Sequence, residues 1–156
     1  MRGTLRSPTT SEIADDWTEF SGGPPLFAAL GVFQPGDVEG VLYEDAAGRR
    51  GMITWVLKDG MAELTSVHAD PPGSGLGSEL ITHVEQVIRD RGARSLLVAT
   101  TNDNVGALRF YIRHGFRLVE VRLDYMDLVR QAKPHVPLTG NDGVPLRDLW
   151  VLRKGL

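Results

Sequence analysis

The sequence contains no cysteine, which excludes disulfides, thiolate metal sites and a cysteine acyl relay. No apolar run reaches the length of about 18 residues that a membrane-spanning helix needs. The net charge is −3 with 24% charged residues, so the basic footprint of a nucleic-acid binder is missing. Met1 to Arg6 lacks the apolar core of a secretory leader, and a cytoplasmic protein is the expectation. Neither repeats nor low-complexity tracts divide the 156 residues, which are expected to form one domain over 1–156.

What is present is organised around one loop, Asp70-Pro71-Pro72-Gly73-Ser74-Gly75-Leu76-Gly77. Met61 to His68 before it reads as a strand. After it, Leu76, Leu80, Ile81, Val84, Val87 and Ile88 are spaced to share one side of a helix, which Gly92 stops. Glycines at 73, 75 and 77 bare the backbone, and the first N–H groups of a helix have no partner within it. A strand, a glycine turn and a helix in this order suit a phosphate or pyrophosphate. The spacing fits neither the nucleotide P-loop nor the dinucleotide fingerprint. Ser95 to Thr100 reads as the next strand, followed by Thr101-Asn102-Asp103-Asn104 and a helix from Val105 to His114.

Two blocks now stand together: Val67-His68-Ala69-Asp70 with Gly73-Ser74-Gly75-Leu76-Gly77-Ser78, and Asn104-x-x-Ala107-x-x-Phe110-Tyr111-x-x-x-Gly115-Phe116. In this combination the chain resembles the GCN5-related N-acetyltransferase (GNAT) superfamily. Its tail, with Lys133-Pro134, the loop Thr139 to Gly143 and Arg147-Asp148, is similar to that of one bacterial branch without an assigned acceptor. The resemblance implies an α/β (α+β) three-layer sandwich, its central sheet mixed, mostly antiparallel, of about seven strands and flanked by helices. It also implies an N-acetyltransferase that moves the acetyl group of acetyl-CoA, without a metal, to an amine of a small molecule or a protein N-terminus.

The same resemblance implies the site. The pyrophosphate lies on Gly73, Ser74, Gly75, Leu76, Gly77 and Ser78, and Val67 N–H meets the thioester carbonyl. His68 or Ala69 pairs with the pantetheine amides, while Asn104, Ala107 and Phe110 serve the coenzyme arm. Pro71 and Pro72 depart from the pattern, and each lacks an N–H. Tyr111 is the candidate acid for the departing thiolate, a phenol having an ordinary pKa of ~10; a core tyrosine is the other reading. Asn104 either reaches the coenzyme or caps its helix. Glu63 is the candidate base, placed by simple alternation on the same strand face as Val67; an exposed strand carboxylate is equally compatible with the pattern. His68 is the second choice for the base, on the opposite face by the same count. His83, His114 and His135 read as surface residues.

The remaining elements are expected as follows. Gly3 to Ser7 is a strand, and Pro8 to Glu12 starts a helix whose Ile13, Trp17 and Phe20 share a face. Leu26 to Leu30 reads as a short helix. Asp15, Asp16, Glu19 and Asp37 read as solvated acids or as an attraction for an amine cation. Val38 to Tyr43, Gly51 to Leu57 and Met61 to His68 form an antiparallel meander, its last hairpin at Lys58-Asp59-Gly60. Leu146 to Arg153 is the last strand, an edge through which a homodimer could pair. Two other readings compete: a CoA-binding regulatory module of the same fold without turnover, and a dinucleotide oxidoreductase with Asp103 on a ribose. The second needs more parallel crossover units than the chain supplies.

Overall fold

The computed structural model describes residues 2–156. The chain divides into two compact units, one running to Leu96 and taking in Leu156, the other Leu97–Gly155.

In the first unit β1 (Thr4–Arg6) leads into α1 (Thr10–Phe20). Thr9 caps this helix: its hydroxyl accepts Glu12 N–H at 3.1 Å, while the Glu12 carboxylate accepts Thr9 N–H at 2.9 Å. Leu26 to Leu30 is not a helix. Leu26–Phe27 (β2) and Val32–Phe33 (β3) pair as a small antiparallel hairpin. Glu63 is the reason, since its carboxylate captures the N–H groups of Ala29 and Leu30 at 2.7 Å each. Two adjacent amides converging on one carboxylate hold the backbone in a turn.

Next come β4 (Glu39–Glu44), β5 (Arg50–Lys58) and β6 (Met61–Asp70), with β1 and β4 to β6 antiparallel in the order β1-β4-β5-β6. Asp59 and Gly60 both have positive φ, 53° and 76°, and turn β5 tightly into β6. The β5–β6 ladder is interrupted once. Thr54 faces Ser66 and Trp55 faces Leu64, so Thr65 is an extra residue in β6, a β-bulge. α2 (Leu76–Asp90) buries Leu76, Leu80, Ile81, Val84 and Ile88, the expected stripe, and Gly92 leaves it at φ 91°.

The two faces of β5 and β6 have different covers. Met52 clusters with Ile13 and Trp17 of α1, and Leu26 and Phe33 pack against that cluster. Gly51 faces the other way, toward Leu76 and Leu80 of α2; a Cβ on Gly51 would overlap the Leu80 side chain.

The second unit holds most of β7 (Ser95–Thr101), then α3 (Val105–Arg113), β8 (Arg117–Arg122), α4 (Tyr125–Ala132) and β9 (Leu149–Gly155). β9 lies between β7 and β8 and pairs antiparallel with β8. The outer strand is therefore β8, not the final strand expected to be the edge. β9 also begins later than expected. Its approach is held as a loop because the Asn102 side-chain oxygen accepts the N–H groups of Arg147 and Asp148 at 2.9 and 3.0 Å.

Candidate active site

The bulge at Thr65 sets the chemistry available on β6. On regular β5, Met52, Thr54 and Val56 share one face. Their partners on β6 are His68, Ser66 and Glu63, so these three share that face too. Val67 pairs with Ile53 and Leu64 with Trp55, both on the other side. Simple alternation had put Glu63 with Val67 and His68 opposite. The extra residue reverses this, and both candidate bases stand on the face covered by α1.

That face is polar at its centre. Thr54 Oγ1 lies 2.6 Å from both Thr65 Oγ1 and Ser66 Oγ, and Trp17 Nε1 donates to Ser66 Oγ at 3.2 Å. Glu63 is buried, 0% exposed, with its oxygens on Ala29 and Leu30. It is not the exposed strand carboxylate that the pattern also allowed. His68 Nδ1 lies 2.7 Å from Asp16 Oδ2, and the Phe20 ring sits over the imidazole with centroids 4.3 Å apart.

Asp16 is the residue that sequence reasoning missed. Read as a solvated acid, it is buried. The signal was present: positions 13, 16, 17 and 20 follow the i, i+3, i+4, i+7 rule of an inward helix face, and Asp16 is its one acid.

Following Val67, His68 and Ala69, the strand ends in the glycine loop. Gly73 and Gly75 have φ of 75° and 82°, the left-handed region that only glycine enters freely. Nothing lies within 4 Å of the Cβ position of either, so the backbone is open to a ligand there. Gly75 is the cap of the 15-residue α2. Ser74 Oγ accepts Leu76 N–H at 3.4 Å, and the first intrahelical carbonyl bond is Glu79 N–H to Gly75 O at 3.2 Å. Gly77 and Ser78 lie in that first turn. The loop thus has the geometry of an anion cradle at a helix start.

In the second unit, Asn104 caps α3 by accepting Ala107 N–H at 3.1 Å. Phe110 and Tyr111 follow on the helix, and the Tyr111 ring meets Phe110 and Phe116 edge-on, centroids 5.6 and 5.7 Å away. Burial pushes the Tyr111 phenol above its ordinary value of 10. The ring is protonated at neutral pH, the state a proton donor requires. Asp103 does not stand ready for a ribose. It accepts the Thr101 hydroxyl at 2.5 Å and Asn141 N–H at 2.9 Å, which fastens the loop before β9. Among the described residues no cluster of His, Cys, Asp and Glu has the make-up of a metal site.

Comparison with known proteins adds the family. The sequence model of the acetyltransferase (GNAT) family matches residues 32–116, more than half of the chain. The chain belongs to the GNAT family. Its glycine loop and β6 both fall inside the matched stretch. Among curated proteins, the uncharacterized YxbD of Bacillus subtilis is 29% identical over 136 residues, 86% of each chain.

Solved GNAT structures show the fold. An acetyltransferase from Bacillus cereus matches with a TM-score of 0.75 at 19% identity, covering 99% of both chains. A GNAT acetyltransferase from Elizabethkingia anophelis, with acetyl-CoA bound, matches with a TM-score of 0.72 at 17% identity over 99% of this chain and 98% of its own. The architecture is the α/β one anticipated, a seven-stranded, mostly antiparallel sheet with four helices.

Proposed function

We propose that the chain is an acetyl-CoA-dependent N-acetyltransferase, moving the acetyl group directly to the nitrogen of an amine bound beside the coenzyme. One observation carries this reading: the left-handed, unobstructed Gly73 and Gly75 backbone at the head of a 15-residue helix, directly after β6. GNAT membership supports the choice of ligand, as does the acetyl-CoA held by the Elizabethkingia relative.

In this reading Gly73 to Ser78 receive the pyrophosphate, and Val67 N–H polarises the thioester carbonyl. His68 and Ala69 offer main-chain partners to the pantetheine, while Asn104, Ala107 and Phe110 line the arm. Tyr111 protonates the leaving thiolate, and the base comes from the α1 face of β6, where Glu63 and His68 stand. Pro71 and Pro72 contribute no N–H to the cradle, which leaves the pyrophosphate to the glycines and Ser74.

Calorimetric titration of acetyl-CoA, beside dephospho-CoA and NAD, tests the coenzyme site. An amine panel scored by thiol release then tests the reaction, with no protein cysteine to obscure the signal. Binding with thiol release on amine addition is expected. Binding without release from any amine would favour a coenzyme-sensing module, and no binding would overturn the reading.

A further inference from the structure

We propose that Asp16 and His68 form the proton-accepting pair of this reaction: Nε2 of His68 takes a proton from the acceptor ammonium, and Asp16 holds the ring for that task. This rests on the acetyltransferase reading above and assigns its base.

The argument begins with the cost of Asp16. Its carboxylate is 2% exposed and sits in the inward stripe of α1 between Ile13 and Trp17. A carboxylate there is expensive unless paired. Among the described residues its hydrogen-bond partner is His68 Nδ1, 52 positions away. An imidazole that donates from Nδ1 carries its lone pair on Nε2, which is what a base needs. The imidazole remains 22% exposed, so the ring is reachable.

Phe20, itself half exposed, covers one side of that ring. The two candidate bases differ in availability. Glu63 is fully buried and holds two main-chain amides, whereas His68 offers a nitrogen that Asp16 does not occupy. His68 also directly follows Val67, the proposed main-chain donor to the thioester carbonyl.

The proton balance closes. One ammonium proton passes to Nε2, and the freed lone pair forms the C–N bond as the C–S bond breaks. The thiolate takes the Tyr111 proton, which the phenol regains from the acylated nitrogen, and His68 returns its own to solvent. Asp16 is a positioning residue throughout.

The surroundings matter for a pH profile. From α1 the ring meets Asp16, with Asp15 and Glu19 alongside it in the helix. From β5 it meets Met52, its ladder partner, with Arg50 beyond, 3.9 Å from Glu44. Glu63 stands on the ring's own strand face.

Two measurements test the pair. Nitrogen NMR of protein labelled at its 4 histidines needs no acceptor. Where the ring is neutral, Nδ1 of His68 should carry the proton and Nε2 should be bare, a pattern that Asp16→Asn disturbs. A neutral ring with its proton on Nε2 would overturn the proposal. With an amine from the panel, His68→Gln should lower kcat/KM about a hundredfold near neutral pH. That loss should shrink as alkali frees the amine, with acetyl-CoA affinity held within about twofold of wild type if the effect is confined to proton transfer. Asp16→Asn should lower kcat about tenfold at unchanged KM for acetyl-CoA, and Asp16→Glu should recover part of it. Turnover that survives His68→Gln refutes the pair and leaves the acetyltransferase reading standing. Absence of acetyl-CoA binding by the wild-type chain removes both.

Discussion

The Glu63 carboxylate accepts the backbone N–H of Leu30 at 2.7 Å across 33 positions of sequence. With the matching bond to Ala29, it decides that residues 26–33 are a hairpin rather than a helix. Glu63→Gln keeps one acceptor and turns an amide N–H toward a backbone N–H. We expect a loss of about 1–3 kcal/mol, read as a melting point lower by about 2–4 °C per kcal/mol. An unchanged melting point with a collapsed kcat would instead make Glu63 the base.

Gly140 faces the Asp103 carboxylate so closely that an added Cβ would overlap Oδ2. Gly140→Ala therefore has to displace the group that holds Asn141 N–H. A destabilisation of about 1–3 kcal/mol is expected. Hydrogen exchange should show the Asn141 amide losing protection. Full protection in the variant would refute the anchoring role of Asp103.

Tyr111 shows how far sequence alone could go. Its position after Asn104 gives it a place in the family pattern, but core and catalytic tyrosines look alike at that spacing. The structure buries it while recording no hydrogen bond for its hydroxyl among the described residues. Tyr111→Phe should leave the melting point nearly unchanged. If the phenol is the acid, kcat falls about a hundredfold at constant KM for acetyl-CoA. A full kcat would return Tyr111 to the core.

Glu12 carries an acid-stability prediction. Hydrogen bonds from Arg6 at 2.6 and 2.8 Å, and from Thr9 N–H, pull its carboxyl from 4.5 down to about 2. The folded value lies below the unfolded one. Its contribution is thus present above pH 4.5 and is lost as the pH falls toward 2. Urea midpoints of wild type and Glu12→Gln should differ near pH 6 and converge as the pH falls toward 2. A constant gap down to that pH would show that the carboxylate charge plays no part.

Legibility in the sequence followed the range of the interactions. α2 could be read because its stripe, its glycine start and Gly92 all lie within one continuous stretch. The Asp59-Gly60 turn and the Thr9–Glu12 cap are equally local. What could not be read depends on partners far along the chain: Asp16 with His68, Glu63 with Leu30, and Asn102 with Asp148. The bulge at Thr65 belongs to this second kind. No residue type announces it, and it exists only as a mismatch against β5. The glycine loop and helix start of the candidate site were legible, whereas the polar face under α1 was not.

Thr65 also makes β6 a strand with two phases. Its extra residue keeps Glu63 on the face of His68 although five positions separate the two. Were β6 to run through Thr65 with regular alternation, Met61 to Leu64 would turn over and the Glu63 carboxylate would pass to the side of Val67. The hairpin at 26–33 would lose its anchor while His68 kept Asp16. The phase change at Thr65 lets one strand hold both groups on one face, the Glu63 that anchors residues 29 and 30 and the His68 that meets Asp16.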